Sequence, residues 1–509
     1  MLVPLVLTFG VSCLLCLVLT PAARVLAGRC QLVDHPDQRR KMHSRAVPVA
    51  GGMPILIATS TAIALLLAFS PTLLELCANE GPQLIGLFAA AVTICAVGLA
   101  DDCGYLRGRH KLLGQCTAAA VVIACGVVVR TITVFDYAID LGLLAYPFTL
   151  FLLLGAINSL NLIDGMDGLL SSMGLIIVLG MAAVALVVGD HIPAAFVALA
   201  LGGALFGFLF YNFPPASIFL GDSGSMLIGL VVGVLAIQSS LKGPATIALA
   251  TPTALLIIPV FDTTAAILRR KLTGRSIYET DRGHLHHCLQ RHGFNAYHVL
   301  LLVAGFCLIT VAGVLASLAL KNELLAILGA ATVVGILVVT RLFGHGELLL
   351  LGQRCHSAAA SFVGRPRKVG SKQIAVRLQG SLNWGELWDG VKDLSEPLNL
   401  QTLRLDVNAP AIHEGYHARW DRMSNDAEDQ VVWRADLPLE VRKQVIGRLQ
   451  IVGYQDDDPV WNKILTLSKL VQAFEKTATD LMRSPMEPRP ALPTPYMFKS
   501  DKSDELRVP

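Results

Sequence analysis

The sequence predicts an all-α polytopic membrane protein of about 11 transmembrane helices, with a small C-terminal cytoplasmic α+β domain. Three observations predict it. Of 509 residues, 54% are hydrophobic and 16% charged, and the mean hydropathy is +0.59, too apolar for a water-soluble globule. Apolar stretches long enough to cross a ~30 Å hydrocarbon core recur over residues 1–345. Carboxylates, amides and histidines gather in the short polar breaks between these stretches: Asp101-Asp102, Asn158 to Asp167, Asn212 to Ser225, and His284 to His287.

Taken in order, the expected spans lie near residues 3–22, 51–70, 84–100, 112–130, 141–158, 168–188, 193–212, 221–238, 244–263, 297–319 and 323–342. Met1 to Thr20 lacks a basic n-region, so it reads as a first span rather than a cleaved signal. Basic residues concentrate in alternate loops: Arg24 to Arg45, Arg107 to Lys111, and Arg269 to Arg291. The positive-inside rule makes these loops cytoplasmic and puts the N-terminus outside. Every polar cluster then falls on the cytoplasmic side. The C-terminal domain is then also cytoplasmic.

Residues 346–364 read as a linker. Residues 365–485 mix charge with β-like runs (373–378, 402–407, 430–435, 444–452) and two helical patterns (384–394 and 461–482), and carry no catalytic signature. The Pro-rich, charged tail 486–509 reads as disordered. Net charge is only +3, which excludes a basic nucleic-acid-binding body. Cys13 and Cys16 form a CxxC inside a greasy stretch without companion ligands, a pattern of packing rather than metal binding.

The polar clusters carry the chemistry. Acids at a helix C-terminus oppose its dipole, so local stability does not ask for Asp101-Asp102. With Lys111 nearby, the pair suits metal coordination, proton removal or phosphate positioning. Asn158, Asn161, Asp164 and Asp167 recur at three-residue spacing; one helix cap would explain one acid, not four amide and carboxylate groups. Gly221-Asp222-Ser223-Gly224-Ser225 opens a span with free backbone N–H groups suited to phosphate. Asp222 there asks for an intervening cation, and Mg²⁺ bridges carboxylates and phosphates in this way. His284, His286 and His287 with Arg282 read as an anion clamp in preference to a zinc site, whose ligand set is incomplete.

Together, Asp101-Asp102, Asn161-Leu-Ile-Asp164-Gly-Met-Asp167-Gly-Leu169, Asn212-Phe-Pro-Pro-Ala-Ser-Ile-Phe219-Leu-Gly-Asp222-Ser-Gly-Ser225 and His284-Leu-His-His287 resemble, in order, the motifs of the polyprenyl-phosphate N-acetylhexosamine-1-phosphate transferases. Arg40-Lys41-x-His43, followed by Pro48 and Gly51-Gly52, is similar to that family's first cytoplasmic loop. The resemblance covers residues 1–345. The Asp281-Arg-x-His-Leu-His-His form resembles the bacterial branch that uses UDP-N-acetylglucosamine.

The resemblance implies that a lipid phosphate attacks the β-phosphorus of a UDP-sugar, releasing UMP and leaving a polyprenyl-diphospho-sugar. It implies Mg²⁺, with Mn²⁺ as an alternative, held by Asp222 and Asn161. It implies Asp101, Asp102, Asp164 and Asp167 as catalytic residues, with Asp101 or Asp102 preparing or positioning the lipid phosphate. Lys41, His43, Lys111, Asn158, Asn212, Phe219, Arg282, His284, His286 and His287 are the implied substrate-binding residues, with Asn212 and Phe219 at the uracil. The implied partners are the UDP-sugar, undecaprenyl phosphate, the bilayer, a second copy in a homodimer, and downstream glycosyltransferases recruited by the C-terminal domain. Rival readings are the phospho-MurNAc-pentapeptide transferase, a transporter and a scaffold. Transport sites sit near the midplane between internal repeats, whereas these acids crowd one boundary and no repeat is visible. A scaffold would not require the membrane acids.

Overall fold

The computed structural model describes residues 2–34, 46–134, 137–189, 192–240, 250–272, 283–362 and most of 370–479. The first compact unit is Met1–Arg365. Its helices are α1 (Leu2–Arg29), α2 (Gly52–Phe69), α3 (Pro71–Cys77), α4 (Gly81–Asp102), α5 (Gly108–Ala124), α6 (Ala145–Ile163), α7 (Leu169–Val188), α8 (Ile192–Asn212), α9 (Gly221–Ser240), α10 (Ala250–Leu255), α11 (Ile257–Leu272), α12 (Leu285–Arg291), α13 (Ala296–Leu320), α14 (Leu324–Val339) and α15 (His345–Phe362). Two small hairpins, β1 (Val33–Asp34) with β2 (Val47–Pro48) and β3 (Thr131–Val134) with β4 (Tyr137–Asp140), complete it.

Among the described residues, eight helices are long and apolar enough to cross a membrane. The three other expected spans fall on shorter elements: α5, the α10–α11 pair and α14. The physical layout is that of a lipid-embedded bundle. Phe69, Ile85, Phe151, Leu301 and Val339 are well exposed on the outside, a surface that lipid tolerates and water does not. Helices α8 and α9 are the most enclosed; α8 packs on α1 and α7, and α9 on α4 and α6. Cys16 is a free thiol in the core, in keeping with the packing expectation.

Small residues let α2 and α4 close onto the start of α9. A Cβ on Gly98 would overlap the Ser223 backbone, and one on Gly52 would come within 2.5 Å of the Ser223 carbonyl carbon. This contact brings the C-terminal end of α4 to the N-terminal end of α9. The stretch 346–364, expected as a linker, instead carries α15, whose Glu347 is buried against Arg269 of α11.

The second unit is Pro366–Pro509. It contains β5 (Gly370–Gln379), α16 (Trp384–Lys392), β6 (Leu400–Ala409), β7 (Glu414–Met423), β8 (Val432–Val441) and β9 (Gln444–Tyr454), with an antiparallel sheet in the order β5-β7-β6-β9-β8. Leu403, Leu405, Val407, Ala418, Trp420, Leu449 and Ile451 share a core with Trp384, Leu387 and Trp388 of α16. Strand β7 was not expected, although Tyr416, Ala418 and Trp420 alternate with His417, Arg419 and Asp421 as a half-buried strand requires. The helix expected at 461–482 lies largely outside the described residues, and the tail 486–509 lies wholly outside them.

On the polar side of this sheet, Asp406 accepts from His417 Nδ1 at 2.6 Å and pairs with Arg404 Nε at 2.9 Å and Arg448 Nε at 3.4 Å. Burial alone would raise the Asp406 carboxyl. The His417 hydrogen bond and the charges of His417, Arg404 and Arg448 outweigh it and hold the pKa below the usual value. A depressed carboxylate contributes stability above its unfolded pKa of about 3.9, and that contribution is lost as the pH falls through the lower folded value. All five tryptophans of the chain lie between Trp384 and Trp461, so their emission reports on this unit. We expect it to redden below about pH 4, and Asp406→Asn to lower stability at pH 7 while flattening the acid dependence. Equal dependence in wild type and variant, read by tryptophan fluorescence against urea, would count against the pair.

Candidate active site

Four helix ends meet at one boundary of the bundle. Lys111, in the first turn of α5, places Nζ 2.6 Å from Asp222 Oδ2 at the start of α9 and 2.9 Å from Asp101 Oδ2 at the end of α4. The same ammonium donates to Asn161 Oδ1, in the last turn of α6, at 3.5 Å. Asn161 Nδ2 in turn donates to Asp222 Oδ1 at 2.6 Å and to Ser225 Oγ at 2.8 Å. A half-buried lysine between two carboxylates is the arrangement that makes charge tolerable at a membrane edge.

Asp101 and Asp102 point to different partners, as adjacent helical residues must. Asp102 accepts the backbone N–H groups of Asp222 at 2.8 Å and Ser223 at 3.2 Å. It therefore supplies the acceptor that the first turn of α9 lacks, where the helix dipole favours an anion. Gly221 makes room for this carboxylate: a Cβ there would lie 2.6 Å from Asp102 Oδ2.

A second layer of contacts ties the neighbouring loops down. Asp167 Oδ2 accepts from Ala216 N at 2.9 Å. Asn212, 3% exposed, accepts from Gly168 N and Ser171 Oγ and donates to the Ile218 carbonyl. Phe219 is held by its backbone, donating to the Pro48 carbonyl and accepting from Gly51 N. Asn158 exchanges two hydrogen bonds with Gln115, a buried residue that sequence reasoning missed. Asp102, Asn158, Asp167 and Asn212 thus brace the site, and Asp101, Lys111, Asp164 and Asp222 line its charged part.

Asp164 follows α6 as its C-cap. Desolvation, together with the carboxylates of Asp222, Asp102 and Asp167, pushes its pKa well above the usual carboxylate range. The cluster thus has an excess of negative charge beyond what Lys111 offsets, a condition that a further cation would relieve.

The histidine motif joins this site through α12. His286 is 2% exposed and lies against Gly165, where any Cβ would overlap its ring. Burial, with His287 and His284 close by, holds its pKa well below that of free histidine, so it is neutral. Neither ring nitrogen of His286 has a hydrogen-bond partner among the described residues. His284 gives Nδ1 to Asp262 Oδ2 at 2.7 Å. Asp262 also escaped the sequence reading, although a lone acid inside an apolar span was the available signal. Lys41, His43 and Arg282 lie outside the described residues.

Fold and site together define a polytopic membrane protein with a cluster of charged and amide side chains at one boundary of its helix bundle. The sequence profile of "Glycosyl transferase family 4" matches residues 84–240. The chain is 31% identical, over 57% of its length and 78% of the relative's, to the "Probable undecaprenyl-phosphate N-acetylglucosaminyl 1-phosphate transferase" of Bacillus subtilis. It is 34% identical, over 55% of its length and 74% of the relative's, to the "Decaprenyl-phosphate N-acetylglucosaminephosphotransferase" of Mycolicibacterium smegmatis. It is 33% identical, over 49% and 78% respectively, to the "Phospho-N-acetylmuramoyl-pentapeptide-transferase" of Heliobacterium modesticaldum. The chain belongs to glycosyl transferase family 4, the membrane phosphoglycosyltransferases that its motifs resemble.

Asn212 offers a test of the bracing layer. Asn212→Ala leaves the Gly168 N–H and the Ile218 carbonyl without their partner, at a cost of about 1–3 kcal/mol for each buried group left unpaired. We expect a clear drop in melting temperature of the detergent-solubilised protein without substrate. An unchanged melting curve would assign Asn212 to ligand binding alone.

Proposed function

We propose that the protein transfers N-acetylglucosamine-1-phosphate from UDP-N-acetylglucosamine to undecaprenyl phosphate, giving the undecaprenyl-diphospho-sugar and UMP. In this reading it works at the cytoplasmic face of the bacterial inner membrane, as the first membrane step of a cell-envelope polysaccharide. One observation carries the reading: Asp101, Lys111, Asn161 and Asp222, from four helices, share a single point at the membrane boundary. A lipid phosphate anchored in the bilayer and a soluble nucleotide can meet at such a boundary. The names of two relatives support the sugar and a polyprenyl phosphate acceptor, undecaprenyl phosphate in the Bacillus subtilis relative and decaprenyl phosphate in the Mycolicibacterium smegmatis one.

The donor set fits Mg²⁺. Oxygens of Asp101, Asp222 and Asn161 already converge on one cation, the Lys111 ammonium. Among the described residues no three His, Cys, Asp or Glu side chains form a ready cage. Mg²⁺ characteristically completes its shell with water and substrate phosphates. Asp222 and Asn161, with Asp101 or Asp164 beside them, would hold it. When bound, Mg²⁺ would neutralise charge on the diphosphate and on the departing UMP.

The chain's own residues do the rest. One phosphoanhydride replaces another, so the step is near thermoneutral and depends on positioning and charge neutralisation. A phosphate monoester, with a second pKa near 6, is largely dianionic at neutral pH, so no base needs to remove a proton. Lys111 would bind the phosphate oxygens, and Asp101 would orient them through that lysine. Asp102 holds the first turn of α9, where Asp222 stands.

The test is transfer from radiolabelled UDP-N-acetylglucosamine to undecaprenyl phosphate by the purified protein, with Mg²⁺ and with EDTA. We expect labelled lipid and UMP with Mg²⁺ only. Asp222→Ala should lower turnover by at least about 10²–10³-fold, the scale of losing a principal transition-state stabiliser, in protein that still folds. Product only with UDP-MurNAc-pentapeptide would move the chain to the muramoyl branch. An active Asp222→Ala enzyme would refute the metal assignment.

A further inference from the structure

Of the four charged residues of helix α11, none of which the catalytic reading uses, two are almost wholly buried. Asp262 is 1% exposed and Arg269, seven residues and about two turns further on, is 2% exposed. Asp262 Oδ2 takes His284 Nδ1 at 2.7 Å, and its Oδ1 accepts the backbone N–H of Leu285, the first residue of α12, also at 2.7 Å. Arg269 donates from a terminal guanidinium nitrogen to the Gly283 carbonyl at 2.9 Å, and its Nε pairs with Glu347 of α15 at 2.6 Å. Gly283 has to be glycine for this contact, because a Cβ there would overlap the guanidinium. Helix α11 therefore grips the carbonyl before His284, the ring of His284 and the amide after it.

A neutral cap such as Ser or Asn would satisfy the Leu285 N–H. Burying a carboxylate in an apolar helix costs far more, and such a charge persists where a specific partner needs it. Here that partner is the imidazole ring. The hydrogen bond on one ring nitrogen decides what the other can do. With Nδ1 given to Asp262, Nε2 is the nitrogen of His284 left for a ligand.

We propose that Asp262 is a positioning residue for the transfer reaction. It keeps His284 protonated on Nδ1 and turned so that Nε2 meets a substrate phosphate, and the Arg269–Glu347 pair fixes the backbone on which this depends. The proposal rests on the transferase reading for its substrate, and on the geometry of α11 for the rest.

Asp262→Asn preserves shape but can donate to Nδ1, which would reverse the tautomer. Asp262→Ser keeps a cap for Leu285 and loses the ring partner. Both should lower kcat/KM for UDP-N-acetylglucosamine by on the order of 10- to 100-fold, the usual consequence of losing a carboxylate behind a functional histidine. Melting temperatures should stay close to wild type in at least the Asn variant. In a His284→Ala background the same substitutions should cost nothing further, since the residue they act through is gone. Losses that multiply in that background would make Asp262 merely structural and overturn the proposal. Nitrogen-15 histidine spectra of the full-length protein in detergent read the tautomer whether or not the enzyme turns over. A wild-type His284 that carries its proton on Nε2 alone would overturn the proposal even if the transferase reading stands. Absence of wild-type turnover with every UDP-sugar, with Nδ1 protonated as expected, would remove the transferase reading and leave the Asp262–His284 geometry intact.

Discussion

The ion cluster around Lys111 is the constraint on which the rest of the membrane unit depends. An ammonium and two carboxylates at a bilayer boundary are tolerable only when they meet, because each alone would carry an uncompensated desolvation cost. Meeting requires the ends of α4, α5, α6 and α9 to arrive at one place, since each supplies one member of the cluster or its amide partner. The approach of α2 and α4 to the start of α9 is too close for any side chain at Gly52 or Gly98. The small residues of these helices are thus the packing counterpart of the charges at their ends.

The same logic separates groups that serve the fold from groups available to a ligand. Asp102 spends both oxygens on backbone N–H groups of α9. Asn212 uses its amide on α7 and on the loop that follows α8, and Asn158 is closed in a pair with Gln115. Asp222 and Asp101 face a mobile-headed cation instead, the ammonium at the end of a four-carbon stem, which can exchange partners when a phosphate arrives. Rigid amide and backbone contacts hold the frame, and the exchangeable ion pairs sit where substrate charge would enter.

Much of this was legible in the sequence because the membrane makes polar residues conspicuous. Asp101, Lys111, Asn161 and Asp222 could be picked out as a set, since no apolar span has a structural use for them. Division of labour within the set was not legible. The residues of a motif share a neighbourhood, but which oxygen caps a helix and which is left for a ligand depends on contacts of long sequence separation, such as Asp102 with Asp222. Gln115 escaped notice because a lone glutamine near a helix start has many unremarkable explanations. In the C-terminal unit, β7 was missed where charged residues alternate with Tyr416, Ala418 and Trp420, although that alternation is the mark of a strand with one face buried.

Helix α11 extends the argument from the site to its support. Charges inside an apolar helix are expensive wherever they stand, so their partners reveal what the expense maintains. For Asp262 and Arg269 those partners are the ring and backbone around His284, and for Arg269 also Glu347 of α15. The starts of α9 and α12 are therefore built on one plan: a carboxylate donated by one helix caps the first turn of another, Asp102 for α9 and Asp262 for α12. In each case the capped helix begins beside a residue of a sequence motif, Asp222 in one and His284 in the other. A cap made in trans sets the position of that residue more firmly than a local one could, because it ties the motif to a separate helix and not merely to its own loop.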